Sequence, residues 1–466
     1  MKNIPENIFK AYDIRGIYPS EINEENLRVI IKSIYNFLTE TAGKAKLTIA
    51  LGRDMRISSP SLFRTASETL SRCGASIIDI GLVSTPTFYY SVLKYGYDAG
   101  IQISASHNPK EHTGLKMVRR EGNRLVKIGK TTGLNEIKED VLKGSFEDED
   151  KHGSTTTNFN VLKDEVKDII TEIGIQDFKP LKVVADPANA MGSLYLEELF
   201  KNIPGELIKM NFELDGNFPS HQPDPLQFDT LKELQIRVIK EKADLGIAPD
   251  GDGDRVFFID EKGEIIPATL ITSLITKEIL KKSPEEKVIV DIRYTNNVRN
   301  VCKKYSSQML ISKVGHALIT EQLNRENAAF AGESSGHFYF RQSGGAESSL
   351  RVVLMVLKLI SNQNRKISEI VKENLTSYES GEFNFLLDES INSQDILKSF
   401  ESMFSEGKIS SLDGLAIDFD DWRMSVRTSN TEPLIRINVE ADSQNTLDSN
   451  LQKILKKMSS FGAKRK

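Results

Sequence analysis

Apolar and polar positions along this chain follow two rhythms, and the switching between them predicts its elements. Over residues 23–41, Leu27, Ile30, Ile31, Ile34, Phe37 and Leu38 recur at the spacing of one helical face. Asn23, followed by Glu24 and Glu25, suits the positive amino end of that helix. Residues 47–51 form a short apolar run that reads as a strand. A second helix begins near Ser59-Pro60, with Leu62, Phe63, Ala66 and Leu70 on its buried face. A strand over 76–80, a helix over 85–95 and a strand over 98–103 continue the series. The stretch before the first helix, Phe9 to Gly16, is too irregular for a helix and dense in Tyr, Asp and Arg. Residues 144–158 are polar, acidic in their middle and rich in Ser and Thr at their end, and read as a domain boundary.

The alternation then restarts. Strands over 182–185 and 244–248 and helices over 191–200 and 229–240 make a second unit. A third has strands over 256–259, 287–292, 309–312 and 328–331 and a long apolar helix over 350–360. Strand–helix alternation of this kind predicts α/β domains with parallel, doubly wound sheets. From about Leu375 the pattern changes. Residues 422–426 and 434–439 alternate apolar and polar as half-buried antiparallel strands do, and residues 443–460 show a helical stripe of Leu447, Leu451, Ile454, Leu455 and Met458. The expectation is three similar α/β domains with mixed or parallel sheets, over 1–150, 155–255 and 256–370. A smaller α+β domain with a mixed sheet would follow over 371–466.

Composition narrows the function. A chain of 466 residues exceeds one core and suggests about three or four domains. With 39% hydrophobic and 27% charged residues it reads as soluble and globular. The formal net charge of -5 argues against a nucleic-acid partner, whose footprint would be basic. Converging Arg and Lys side chains can still make a local anion site. The two cysteines, Cys73 and Cys302, have no metal-ligand spacing and fit a reducing compartment. The polar start of the chain predicts no signal peptide, and no stretch reaches the ~18 apolar residues of a membrane span. A cytoplasmic protein with no membrane partner is expected. Nothing in the pattern sets an oligomeric state.

Candidate chemistry sits where strands end, the edge at which open α/β sheets bind ligands. Ser104-Ala105-Ser106-His107-Asn108-Pro109 follows the strand over 98–103, with Lys116 shortly after. A hydroxyl, an imidazole and an ammonium in one stretch suit phosphoryl transfer; otherwise Asn-Pro marks a surface turn. After the strand over 244–248 come Asp250, Asp252 and Asp254, spaced by glycines and followed by Arg255. Three like charges so close call for a cation, and hard oxygen ligands suit Mg²⁺. The loop Gly332 to His337 offers Glu333, Ser335 and His337, a set for sugar hydroxyls, or a plain hairpin turn. Arg427, Ser429, Asn430 and Thr431, with Arg436 beyond, supply a guanidinium pair, hydroxyls and an amide for a phosphate, or a Ser/Thr-stabilised turn. His316 is a lone histidine and a weaker candidate.

Taken in order, Tyr-Asp-Ile-Arg-Gly, Ser-Ala-Ser-His-Asn-Pro, Asp-Gly-Asp-Gly-Asp-Arg, Gly-Glu-Ser-Ser-Gly-His and Arg-Thr-Ser-Asn-Thr-Glu-Pro resemble the signatures of the α-D-phosphohexomutases. The resemblance implies four domains around a central cleft and a phosphosugar substrate. It implies that Ser106 is a phosphoserine and that Asp250, Asp252 and Asp254 hold Mg²⁺ together with its phosphoryl group. His107, Lys116, Arg255 and Arg15 would join Ser106 in catalysis, with the proton carried by Lys116 or His107. Tyr12, His316, Glu333, Ser335 and His337 would meet the sugar. Arg427, Ser429, Asn430, Thr431 and Arg436 would bind the phosphate that is not reacting. Ser104 stands where Thr is usual, and Ser334 where the mannose/glucose branch has Met and the glucosamine branch Gln. The Gly-His ending resembles the mannose/glucose type. The reaction implied is interconversion of hexose 1-phosphate and 6-phosphate through a 1,6-bisphosphate, with phosphoglucosamine mutase as the alternative. An aspartyl-phosphate hydrolase, which also places Asp-x-Asp after an apolar strand, is the less favoured alternative. A non-catalytic metal- or sugar-binding protein would have no use for Ser106.

Overall fold

A computed structural model describes residues 4–144, 151–388, 391–428 and 434–466. Four sheets follow one another along the chain. The first runs, edge to edge, Ile14–Ile17, His112–Glu121, Ala99–Ile103, Thr48–Arg53, Ser76–Leu82 and Ser154–Thr157, with Arg124–Lys127 paired to His112–Glu121. The second is Ile265–Ile266, Val256–Ile259, Leu245–Pro249, Leu181–Ala185 and Gly205–Lys209. The third is Met309–Ser312, Val288–Asp291, Phe330–Gly332 and Phe338–Phe340.

These three sheets share one device. In each, a fully buried parallel strand (Ala99–Ile103, Leu245–Pro249 or Phe330–Gly332) ends in a polar loop, and the chain returns as an antiparallel neighbour. The loops carrying Ser106, the three aspartates and Glu333–His337 are these reversals. The sheets are therefore mixed rather than purely parallel.

Local sequence accounts for the elements. The helix Glu24–Ala42 is capped by the Asn23 side chain, which accepts from the Asn26 amide, and it ends on Gly43 at φ 61. The helix Thr85–Lys94 starts from Ser84, which accepts from the Thr87 amide, with Pro86 in its first turn. One apolar core runs unbroken through the second and third domains, from Val183 and Ile247 to Ile271, Val290 and Val353. A smaller cluster of Phe88, Val92, Val161 and Ala346 packs the first domain against both.

Five expectations change. The polar stretch 144–158 is not all boundary, because Ser154–Thr157 pairs in parallel with Ser76–Leu82 as an edge strand of the first sheet. It is fully exposed, paired through its backbone, and so shows no apolar pattern. Val256–Ile259 belongs to the second sheet, which moves the second domain's end past residue 255. The irregular Phe9 to Gly16 stretch runs into the strand Ile14–Ile17. The fourth sheet is wholly antiparallel in its seven strands instead of mixed. Predicted helix 229–240 opens as a 3₁₀ turn and becomes α-helical at Lys232. No helix among the described residues is long and apolar enough to cross a membrane.

Candidate active site

Ser106 is buried, and its backbone is held at φ 53, a left-handed conformation that costs a non-glycine residue about 1–2 kcal/mol. Arg56 explains how the loop stays there. Its guanidinium, itself buried, donates to the carbonyls of Ser106 (2.8 Å), Asn108 (2.6 Å), Pro109 (2.7 Å) and His112 (3.0 Å). Asp54 lies 3.2 Å from Arg56 Nε, and the Phe218 ring covers the guanidinium carbon at 5.1 Å. Two residues of the Gly52-Arg53-Asp54-Met55-Arg56 stretch are thus spent on holding the serine loop. Arg15 braces it from outside, donating to Asn108 Oδ1 at 2.7 Å while paired with Asp13.

The aspartate loop meets the serine loop directly. Ser106 Oγ lies 3.2 Å from Asp250 Oδ2 and 3.2 Å from His107 Nδ1. A Cβ on Gly251 would stand 2.4 Å from the Ser106 carbonyl oxygen, so only glycine permits this approach. Asp250, Asp252 and Asp254 are buried and bring ligand atoms within 4.8 Å of one another. Lys116, opposite Gln102 in the sheet, spans Asp252 (2.5 Å) and Asp254 (2.6 Å). Thr85 Oγ1 adds a bond to Asp252 Oδ2 at 2.5 Å, but Asp252 Oδ1 is buried with no hydrogen-bond partner among the described residues. Three hard carboxylates, one with an orphaned oxygen, fit a divalent cation.

The charges are set by this crowding. Burial, then Asp252 and Asp254, raise the Asp250 carboxyl well above its ordinary value. Burial alone would raise Asp254 as well, but Lys116 and His337 hold it well below. Lys116 is kept an ammonium by Asp252 and Asp254 against a burial that would lower it. Burial, then Arg255 and Arg15, push His107 well below its ordinary value, leaving a neutral imidazole.

The third loop faces the second. His337 Nε2 lies 3.3 Å from Asp254 Oδ1, and Nδ1 lies 2.9 Å from Glu333 Oε2 and 3.0 Å from Ser335 Oγ. Burial would lower His337, but Asp254 raises it, to about 9, so both ring nitrogens donate and Arg255 Nε at 3.3 Å is a like-charged neighbour. Glu333 is held further by Tyr339 Oη and by Arg293, each at 3.0 Å. Arg293, anchored on Asp291 at 2.9 Å, is a cation at the Glu333–His337 loop that no motif pointed to. The Glu333–His337 segment is a hairpin turn, with Gly336 donating to the Glu333 carbonyl.

Tyr12 and His316 come together from distant sequence. Their rings meet edge to face at 5.1 Å, and Tyr12 Oη donates to the Val314 carbonyl at 3.3 Å. Gly315, at φ 137, is required beneath that hydroxyl, since a Cβ would lie 2.2 Å from it. Behind His316 sits an ion pair absent from every motif. Lys127 Nζ lies 2.5 Å from each oxygen of the buried Glu347 carboxylate. Asp254, His337 and Glu347 also bring ligand atoms within 4.8 Å, but there protonated His337 and Lys127 already supply positive charge.

In the fourth domain, Arg427 and Arg436 stand directly opposite each other on neighbouring strands. Arg427 pairs with Glu382 (3.2 Å) and Asp413 (3.6 Å), and Asp413 accepts from the Val314 amide at 3.1 Å. Predicted partners Ser429, Asn430 and Thr431 lie outside the described residues.

Known proteins show the same order of domains. The chain matches the models "Phosphoglucomutase/phosphomannomutase, alpha/beta/alpha domain I" over residues 6–147, domain II over 164–263 and domain III over 267–378, and the "C-terminal domain" over 382–457. It is 35% identical to a phosphomannomutase of Vibrio cholerae over 463 residues, covering 97% of this chain and 98% of that one. It is 36% identical to a phosphomannomutase of Escherichia coli over 443 residues, covering 93% and 94%. A phosphoglucomutase/phosphomannomutase family protein from Burkholderia thailandensis superposes with a TM-score of 0.88 at 26% identity, covering 99% of this chain and 100% of that one. Matched in all four domains and along nearly its whole length, the protein belongs to the phosphoglucomutase/phosphomannomutase family and is a phosphohexomutase.

Proposed function

We propose that the protein interconverts the 1- and 6-phosphates of mannose and glucose, with Ser106 as the phosphoryl carrier and Mg²⁺ as the metal. The observation that carries this reading is the meeting of two loops from different domains. Ser106 Oγ is held in a strained backbone 3.2 Å from Asp250, beside an aspartate cluster with an oxygen left unpartnered.

Asp250, Asp252 and Asp254, with the phosphoryl oxygen on Ser106, would hold the cation, which would neutralise charge on the transferring group. In the transfer, the phosphorus–Oγ bond of phospho-Ser106 breaks as phosphorus bonds to the sugar hydroxyl. The hydroxyl proton needs an acceptor. His107 is neutral and beside Ser106, whereas Lys116 is held protonated between two aspartates; His107 is therefore the base that takes the hydroxyl proton and passes it to the departing Ser106 Oγ, and Lys116 is a fixed positive charge. Reversal of the bisphosphate returns its other phosphoryl group to Ser106. Glu333, Ser335 and His337 would grip the sugar, with Tyr12 and His316 at its edge. Arg427 and Arg436 would take the phosphate that is not reacting, exchanging Glu382 and Asp413 for it.

Mannose and glucose differ only at the C2 hydroxyl, which suits a site that grips other hydroxyls. The C2 ammonium of glucosamine would enter ground already held by His337, Arg293 and Lys127. Side-by-side kcat/KM values for the 1-phosphates of mannose, glucose and glucosamine test the assignment, and a lead for glucosamine would reverse it. Mass analysis of freshly purified protein should find phosphate on Ser106, and chelation should stop turnover until Mg²⁺ is restored. Undiminished rates in excess chelator would remove the metal from this reading.

A further inference from the structure

Lys127 and Glu347 are fully enclosed charges that the reaction just described does not use. Lys127 ends the strand Arg124–Lys127 of the first domain, and Glu347 precedes the helix Ser349–Gln363 of the third. Around the ammonium stand three acceptors: Glu347 Oε1 and Oε2 at 2.5 Å each, and His316 Nδ1 at 3.3 Å. The Tyr89 and Tyr339 rings cover it at 5.0 and 5.2 Å. An ammonium has three donors and no lone pair, so its valence is filled by these partners. It must keep its proton, because a neutral amine would leave Glu347 a buried and unpaired carboxylate.

We infer that Lys127 and Glu347 are positioning residues that lock His316 in its neutral Nε2–H tautomer, presenting one hydrogen-bond donor to the sugar phosphate. Within hydrogen-bond distance Nδ1 faces only the Lys127 ammonium, at 3.3 Å, while the carboxylate oxygen Glu347 Oε1 stands off at 3.9 Å, so Nδ1 is the bare nitrogen. A second proton on the ring would face Lys127 head-on, and burial together with Lys127 holds His316 well below its ordinary value. The hydrogen then sits on Nε2, for which no partner exists among the described residues. The ring cannot turn freely, being fixed by the Tyr12 edge at 5.1 Å and the stacked His337 ring at 6.4 Å. The donor's target rests on the placement of His316 in the substrate site argued above; the tautomer does not.

Two readouts separate those parts. The full chain labelled with ¹⁵N-histidine has six histidines, and the His316 signals are identified by their loss in His316→Gln. The wild type should show a bare Nδ1 and a protonated Nε2, unchanged across neutral pH. Lys127→Met should lose that pattern and raise KM for hexose 1-phosphate about tenfold or more, as loss of a bond to a charged group would, with a smaller change in kcat. If Lys127→Met folds poorly, Lys127→Met with Glu347→Gln removes the stranded charge and serves the same purpose. A protonated Nδ1 or an imidazolium in the wild type would overturn the lock, as would an unaltered tautomer in the folded variant. Loss of the tautomer with KM unchanged would leave the lock standing and overturn the donor's role toward substrate.

Discussion

At the scale of single residues, the serine loop depends on a side chain that does no chemistry. Four backbone carbonyls between Ser106 and His112 converge on Arg56, and that convergence holds Ser106 at φ 53. Lysine keeps the charge but presents no planar fork, so it cannot serve four acceptors at once. Arg56→Lys should therefore lower kcat on the order of a hundredfold, the effect of misplacing a reacting atom by about 1 Å. Ser106 should also carry less phosphate by mass. Arg56→Met should in addition lose stability, about 3–5 kcal/mol, because Asp54 is left buried without its cation. A kcat within twofold of wild type in Arg56→Lys would show that the loop holds itself. Arg56 was visible in the sequence only as a charge after a strand; its four targets lie 50 or more residues away.

At the scale of elements, function depends on how closely loops and helices approach. The aspartate loop reaches the serine loop only across Gly251, so Gly251→Ala forces the two apart. Such overpacking costs about 1–3 kcal/mol. Turnover should fall far more than the melting temperature, and an alanine variant with normal kcat would refute the close approach. A second contact joins the helices Thr85–Lys94 and Val161–Ile173, where buried Glu165 accepts from Thr87 Oγ1 at 2.6 Å. Burial raises its carboxyl to about 7. A folded-state value above the unfolded one means stability that is whole below the ordinary carboxyl range and is lost as pH rises through about 7. Glu165→Gln, neutral throughout, should match wild type at pH ~3.5 and exceed it at pH ~8. The expected gap is on the order of 3 kcal/mol. Urea titrations of both proteins at the two pH values would measure it, and equal stabilities at the higher pH would contradict the shift.

At the scale of the whole molecule, four domains each bring one kind of group to a shared site. The first brings the serine, the second the carboxylates, the third the Glu333–His337 loop and the fourth a pair of arginines. Arg427 reaches the others through Asp413 and the Val314 amide, close to His316 and Tyr12. Phosphate binding at a distance from the bond being broken can orient the hydroxyl that attacks. Arg427→Ala should therefore reduce kcat/KM by several kcal/mol, roughly a hundredfold or more, in both reaction directions. Phosphate should remain on Ser106, whose side-chain contacts lie within the first two domains. Loss of that phosphate in Arg427→Ala would mean that the fourth domain shapes the serine loop as well.

Sequence by itself determined the elements and the loop chemistry, because both are local. The helix over Glu24–Ala42 follows from a 3.6-residue stripe and an Asn cap, and the Ser106, Asp250–Asp254 and Glu333–His337 loops each sit in a few consecutive residues. Only the tertiary structure decided what those loops meet. Ser154–Thr157 pairs through backbone bonds that no side-chain pattern reports, and Val256–Ile259 reads as the start of a new unit until its antiparallel partner is seen. The Arg56 clamp, Arg293 on Glu333 and the Lys127–Glu347 pair behind His316 each join residues 40 to 220 positions apart. Buried charge is stable only when a partner of opposite sign is enclosed with it. That partner is chosen by the fold in space, and neither residue carries a mark of it in the chain.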